Sequence, residues 1–247
     1  MSRTNRRNVS TSPISKYIEY KGSGVFSYYD KESEENIKLK KLELILLDER
    51  SSITGWFERN DVGTQIASNF VKNINDEELE VRASKNKHFN RAEVLYKGVY
   101  DRKEISNFGG KFTTNLFALV KIDDEWEVAK VEIKGWALKT WTDIKQDEPK
   151  FKSNGIYDYI ITLKKGDKKK KGATIFYGLD YSIEELSEDL EVKANSADEQ
   201  FLEWIDSDKE EESKESEASR AKEEPTSPQD SYEDEDEDEE EEDDLPF

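Results

Sequence analysis

From residue 207 to residue 247 the chain carries 21 aspartates and glutamates against 4 lysines and arginines, and its only large apolar side chains there are Tyr232, Leu245 and Phe247. Such a segment has nothing to bury and a net charge of −17 that repels itself, so it cannot fold alone. Residues 184–206 add 9 acidic groups and 1 basic group. Of the 58 acidic and 38 basic residues in the whole chain, 28 and 33 remain for positions 1–183. The body is therefore mildly basic, and the formal charge of −20 describes the tail.

Within the body, apolar residues recur mostly at every second position, and β-branched and aromatic residues are favoured, as in half-buried strands. Strands are expected over 37–40 and 42–44, with a bulge at Lys40 and Lys41, and over 53–58, 79–83, 92–100, 114–122, 125–134, 156–164 and 173–181. Helices are expected over 61–73, capped by Asp61, over 134–145, and over 196–205 with an apolar stripe of Phe201, Leu202, Trp204 and Ile205 that docks on the body. Gly166 and Asp167 predict the turn of a hairpin between the last two strands. Many short strands with few helices and no repeat predict a mainly β fold, preferably a small barrel and otherwise a sandwich. The organisation expected is a flexible basic arm over 1–12, a binding domain over 13–183, a linker with a short helix over 184–206, and a disordered acidic tail over 207–247.

The chain has no cysteine, which removes disulfides, thiolate nucleophiles and Cys-ligated zinc and suits a reducing cytoplasm. Its longest apolar run, Leu116 to Val120, is five residues against the roughly 20 that span a bilayer, so no membrane association is expected. The basic start is followed by no apolar stretch of the kind a signal peptide carries. The one histidine, His88, reads as a loop residue. Gly109, Gly110 and Lys111 lack the spacing of a phosphate-binding loop and read as a turn. Asp123, Asp124 and Glu125 can be a magnesium cluster or a solvated hairpin turn, and the turn is the expectation. No enzyme, cofactor or metal site is expected.

Proteins that hold single strands without reading sequence need cations for phosphates and flat rings for bases, each stack contributing roughly 1–3 kcal/mol. The body interleaves both. The candidates are Tyr28 and Tyr29; Trp56 with Arg59; Tyr96 and Tyr100 with Arg102 and Lys103; Phe108 with Lys111; and the further cations Arg50, Lys72, Arg82, Lys85, Lys87 and Arg91. Alternation limits how many serve, because adjacent strand residues such as Tyr28 and Tyr29 point to opposite faces. Six lysines between Lys164 and Lys171 form a further cluster on the expected hairpin. The twelve acidic residues of 233–244 repel DNA, so the tail is expected to compete for the basic groove and to tether partners.

After that acid run stand Asp243, Asp244, Leu245, Pro246 and Phe247. These five residues resemble the acidic tip of bacterial single-stranded DNA-binding proteins, of the form Asp-Asp-(Ile or Leu)-Pro-Phe. The resemblance implies that the tip docks replication and repair enzymes. The body is longer than that family's domain, and its linker is rich in Glu, Ser and Lys. It looks more like the replicative binding proteins of tailed phages, through residues 14–22 and through Phe26, Ser27, Tyr28, Tyr29 and Asp30. That resemblance implies an OB-fold, a Greek-key β-barrel elaborated by insertions, and a phage protein acting in the cytoplasm of a bacterial host. An acidic chaperone or DNA mimic that binds basic partners is the alternative, and a metal-dependent nuclease built on Asp123 and Asp124 a third. Oligomeric state is not legible in the sequence.

Overall fold

The computed structural model describes residues 12–59, 61–84 and 93–220, with side chains as far as residue 205. The expected basic arm and the tail beyond residue 220, including its tip, lie outside the described residues, as do Lys85, Lys87, His88 and Arg91.

Eleven strands form one mixed sheet. At its N-terminal side a hairpin of β1 (Lys16–Lys21) and β2 (Val25–Asp30) continues into β3 (Glu35–Leu39). The spine is β4 (Lys41–Arg59), 19 residues long, which pairs antiparallel with β8 (Gly110–Ile122) from Glu43 to Gly55. On its other edge β4 pairs first with β10 (Tyr159–Lys171), through residues 41–44, and then with β5 (Val62–Ser68), through residues 54–59. Beyond β5 lie β6 (Leu79–Ala83) and β7 (Val94–Gly98), then the short helix α1 (Arg102–Asn107), capped by the Asp101 side chain. From β8 a tight turn leads to β9 (Glu125–Lys134), and β1 adds to the far edge of β9 as the one parallel pair. Two helices, α2 (Gly135–Asp147) and α3 (Pro149–Asn154), connect β9 to β10, which pairs with β11 (Thr174–Glu185).

The main core lies inside the curve of β1, β2, β4, β8, β9, β10 and β11. Helix α2 closes it with Ala137, Trp141 and Ile144. Trp141 is wholly buried, its indole N–H donates to Glu49 Oε2 at 3.2 Å, and Lys145 Nζ holds both oxygens of the same carboxylate at 2.7 Å. A second core sits between β4, β5, β6, β7 and α1 around Ile53, Ile66, Leu79, Val81 and Ile105. The helix α4 (Glu188–Arg220) lays Ala197, Phe201 and Ile205 on the outer surface of the sheet, against Phe117 and Leu119 of β8.

The expected strands over 79–83 and 125–134 have those bounds, and the expected helix over 134–145 is α2. Asp123 (φ 50°) and Asp124 (φ 67°) make the hairpin turn expected of them, in the left-handed conformations that a two-residue turn between twisted strands requires. Four expectations need correction. Residues 61–73 form no helix: Asp61 sits at a left-handed turn position (φ 62°), and Thr64 and Ile66 alternate inward along β5. Cross-strand pairing with β4 prevails there over the helix-like start signal. Residues 40–41 carry no bulge; the chain changes partners there, and the bulge in β4 lies between Leu46 and Asp48. Gly166 and Asp167 are not the hairpin tip. The strands continue to Lys171 and reverse at Gly172 (φ 59°), while Gly166 marks an irregularity at which a side chain would overlap the Leu179 backbone. In the stripe of α4, Leu202 is exposed and Ala197 takes its place.

The Tyr20 hydroxyl is buried and donates to the Gly178 carbonyl at 2.6 Å, and burial pushes its pKa up to about 12. Burial, and then the Glu148 carboxylate that accepts its hydroxyl proton, pushes Tyr181 up to about 12 as well. Because the folded state holds these protons more tightly, their contribution to stability is complete below pH 10 and is lost as pH rises from about 10 to about 12. Absorbance titration of tyrosinate is expected to show two late-ionising groups in the folded protein. Uniform ionisation near pH 10 without unfolding would contradict this packing.

Candidate nucleic-acid interface

Residues directly opposite each other in a sheet share a face, so the register sorts every strand residue into inward or outward. The inner set is apolar: Ile18, Phe26, Leu44, Leu116, Val131 and their neighbours. The outer set is of different chemistry. One row across the sheet runs through Asn36, Tyr29, Tyr17, Lys130 and Phe117. The next runs through Lys38, Ser27, Glu19, Glu132, Asn115 and Arg50. A third joins Lys134, Thr113 and Ser52, and a fourth Lys111, Thr54, Ala67 and Arg82.

Three large rings stand open on this face: Tyr17 (57% exposed), Tyr29 (54%) and Trp56 (56%). Tyr17 and Tyr29 are cross-strand neighbours, one residue beyond the Ile18–Tyr28 pair. Trp56 is held differently. Its indole lies against the backbone of Gly63 on β5, where any Cβ would overlap the ring. Beside it, Gly55 and Gly109 come so close that neither has room for a side chain. The glycines thus fix the strand that carries Trp56 and give its ring a flat seat.

Cations flank the rings. Lys130 Nζ stands 5.3 Å from the centroid of Tyr17 and 5.4 Å from that of Phe70, and it pairs with Glu132 at 2.8 Å. Lys134 pairs with the other oxygen of Glu132 at 3.0 Å. Burial works against the Glu132 charge, but the two lysines outweigh it and hold the carboxyl below its usual range. Lys111, Lys21 and Lys38 are exposed along the same face. At one side of the sheet the β10–β11 hairpin exposes all six of its lysines. Lys165 lies 3.5 Å over the Tyr177 ring and Lys169 4.4 Å over the Trp136 ring, so two of these cations are already seated on aromatic faces.

Of the expected residues, the fold brings Tyr29, Trp56 and Lys111 to this outer face as exposed groups. Arg82 shares the face but pairs with Glu80. Tyr28 points inward and is core, as alternation demands once Tyr29 is outside. Arg50 is on the outer side yet buried, its Nε bonded to Asp48 at 2.7 Å beneath Phe201, so it is a structural cation and no phosphate ligand. Arg59 is held by both oxygens of Glu93. Tyr96, Tyr100 and Phe108 pack half-buried on the second core; the Tyr96 hydroxyl donates to the Val99 carbonyl, and Tyr100 stacks edge-on to Phe112 at 5.9 Å. Arg102, Lys103 and Lys72 are exposed, the first two on α1 and the third in the connection between β5 and β6.

Sequence reasoning missed Tyr17, Lys130 and Lys134. The signal for Tyr17 was present: Tyr17 and Glu19 alternate with the inward Ile18 and Tyr20. For the lysines no local signal exists, because their place beside Tyr17 depends on the parallel pairing of β1 with β9, strands separated by about a hundred residues. No helix among the described residues is long and apolar enough to cross a membrane. No family profile matches the chain, and no curated protein or solved structure matches it either.

Proposed function

We propose that this chain is a single-stranded DNA-binding protein without an enzymatic activity, that it coats DNA in the replication or recombination of a bacterial virus inside its host, and that Asp243 to Phe247 dock partner replication proteins. The observation that carries the reading is the outer face of the sheet, where three exposed rings and the exposed Lys21, Lys38 and Lys111 stand beside a centre in which Arg50, Ser52, Thr113, Asn115 and Phe117 are buried. Rings accept any base, and lysines track the backbone whatever its sequence. The strand order supports an OB-like barrel. A long strand (β4) pairs with both β8 and the later strand β10, the three-strand run β4–β8–β9 is followed by a helix, and β10 pairs in turn with β11. In that comparison β1 occupies the parallel position beside β9, and only one backbone bond, Tyr177 N–H to Gly22 O at 3.0 Å, links β11 to the β1–β2 turn. The segment between β4 and β8 and the β10–β11 hairpin then correspond to the loops that flank the oligonucleotide in such barrels.

The test is a titration with a mixed-sequence single strand and with duplex of equal length, followed by tryptophan fluorescence. Single strand is expected to bind tighter and to quench. Its affinity is expected to fall with salt at a log–log slope near −0.7 per neutralised phosphate. Removing residues 207–247, which leaves the compact unit Met1–Asp206, is expected to strengthen binding at low salt. A tailless body with no preference for single strands would overturn the reading and favour the acidic chaperone or DNA mimic.

A further inference from the structure

On the outer face of β1 and β2 is a hollow of about 230 Å³ lined by Tyr17, Glu19, Lys21, Tyr29, Asn36 and Glu132. It is smaller than the roughly 300–1,000 Å³ of sites that enclose drug-sized ligands, so it suits a single ring system. Its walls are the two exposed tyrosines, side by side across β1 and β2. Its floor is the pair Glu19 and Glu132, directly opposite each other across β1 and β9, with Ser27 next in the row. Lys21 lines one side, and Lys130 and Lys134, two residues either side of Glu132 on the same face of β9, pair with its carboxylate, Lys130 standing also beside the Tyr17 ring.

This pattern, with positive charge at the rim, carboxylates in the floor and rings at the wall, is the complement of a nucleotide whose base offers hydrogen-bond donors. Phosphates meet the lysines and a base stacks on tyrosine. The base edge that reaches the floor must donate, because both carboxylates only accept. We propose that this hollow takes one base of the bound strand and selects those carrying an exocyclic amino group, cytosine, adenine or guanine, over thymine. A carboxylate accepting from cytosine N4 is a recognised base contact, whereas thymine has only the N3–H donor, flanked on both sides by carbonyl oxygens that would be set against an anion. A bound basic peptide would satisfy the carboxylates too, but Lys21 at the rim repels it and Glu132 is already paired with Lys130 and Lys134. The protein would then coat any single strand while favouring one class of base at one position. Glu132 supports this arrangement because its lysine partners keep it ionised at neutral pH.

The inference rests on the single-strand reading, and the experiment separates the two. Full-length protein is titrated with oligo-dC and oligo-dT of one length at pH 8, a choice that keeps ring size constant and changes the hydrogen-bonding edge together with the C5 methyl group. Oligo-dC is expected to bind at least about fivefold tighter, in line with the discrimination that a good base-edge contact supplies. Glu19→Gln is expected to bring the ratio towards one, since an amide can donate as well as accept. Glu132→Gln, which also frees two lysines, is expected to raise affinity for both oligomers while lowering the same ratio. Equal binding of dC and dT, or a dC preference that both variants retain, overturns the base-selecting hollow and leaves the general reading standing. Failure of both oligomers to bind at low salt overturns both.

Discussion

Replacing Trp56 by alanine is expected to weaken binding to a mixed-sequence single strand by about 5- to 100-fold, the effect of losing one base stack of roughly 1–3 kcal/mol. The indole is more than half exposed, carried on the longest strand of the sheet and seated on a glycine backbone, so it needs no rearrangement to receive a base. That geometry makes a second variant informative. Gly63 has a backbone conformation open to any residue, and the nearest atoms a methyl group there would meet are those of the Trp56 ring. Gly63→Ala is therefore expected to tilt the indole and to lower affinity while the tryptophan itself remains. Thermal melting, followed by circular dichroism, is expected to change little in either variant, because Trp56 contributes to neither core. Wild-type affinity in Trp56→Ala would remove this ring from the track and leave Tyr17 and Tyr29 as its stacking groups.

The opposite profile is expected of Trp141→Ala. This is the largest fully buried side chain among the described residues, and it closes the main core from α2 while donating to Glu49. Its removal should cost about 3–5 kcal/mol, from lost apolar burial and from the cavity left where the sheet cannot collapse. Urea unfolding at 25 °C is expected to show the shift in midpoint. Single-strand affinity, measured where the variant is still folded, is expected to stay within about twofold of wild type, because Trp141 faces the interior and the candidate track lies on the far side of the sheet. A loss below about 1 kcal/mol would mean that α2 is no essential wall of the core. Together the two tryptophans separate the surface that binds from the interior that supports it.

Parts of this arrangement were legible one residue at a time. Alternation over 79–83 and 125–134 located β6 and β9 to the residue, and the pairing of left-handed turn formers at Asp123 and Asp124 marked the reversal before β9. The same alternation required that Tyr28 and Tyr29 part company, and they do. Local signals misled where two structures share a local grammar. Asp61 before an apolar stretch reads as a helix cap, and it serves equally as a tight turn between β4 and β5. Gly166 reads as a turn, and it serves equally as a bulge. In both cases the deciding energy comes from a neighbouring strand that a local window does not contain.

The acidic tail shows what sequence by itself determines. A segment with 21 carboxylates and three large apolar residues has no core to form, whatever the rest of the chain does, because burial is a property of composition before it is one of shape. In the body, composition established a basic, ring-rich β domain and went no further. Which rings face water and which cations are free was decided by pairing. Arg50 and Lys111 are alike in sequence as cations within strands. Tertiary structure buries the first beside Asp48 under Phe201 and leaves the second exposed on the outer face. The physical reason is that burial and ion pairing depend on strands brought together across many residues, and a charge takes its role from the partner that the fold supplies.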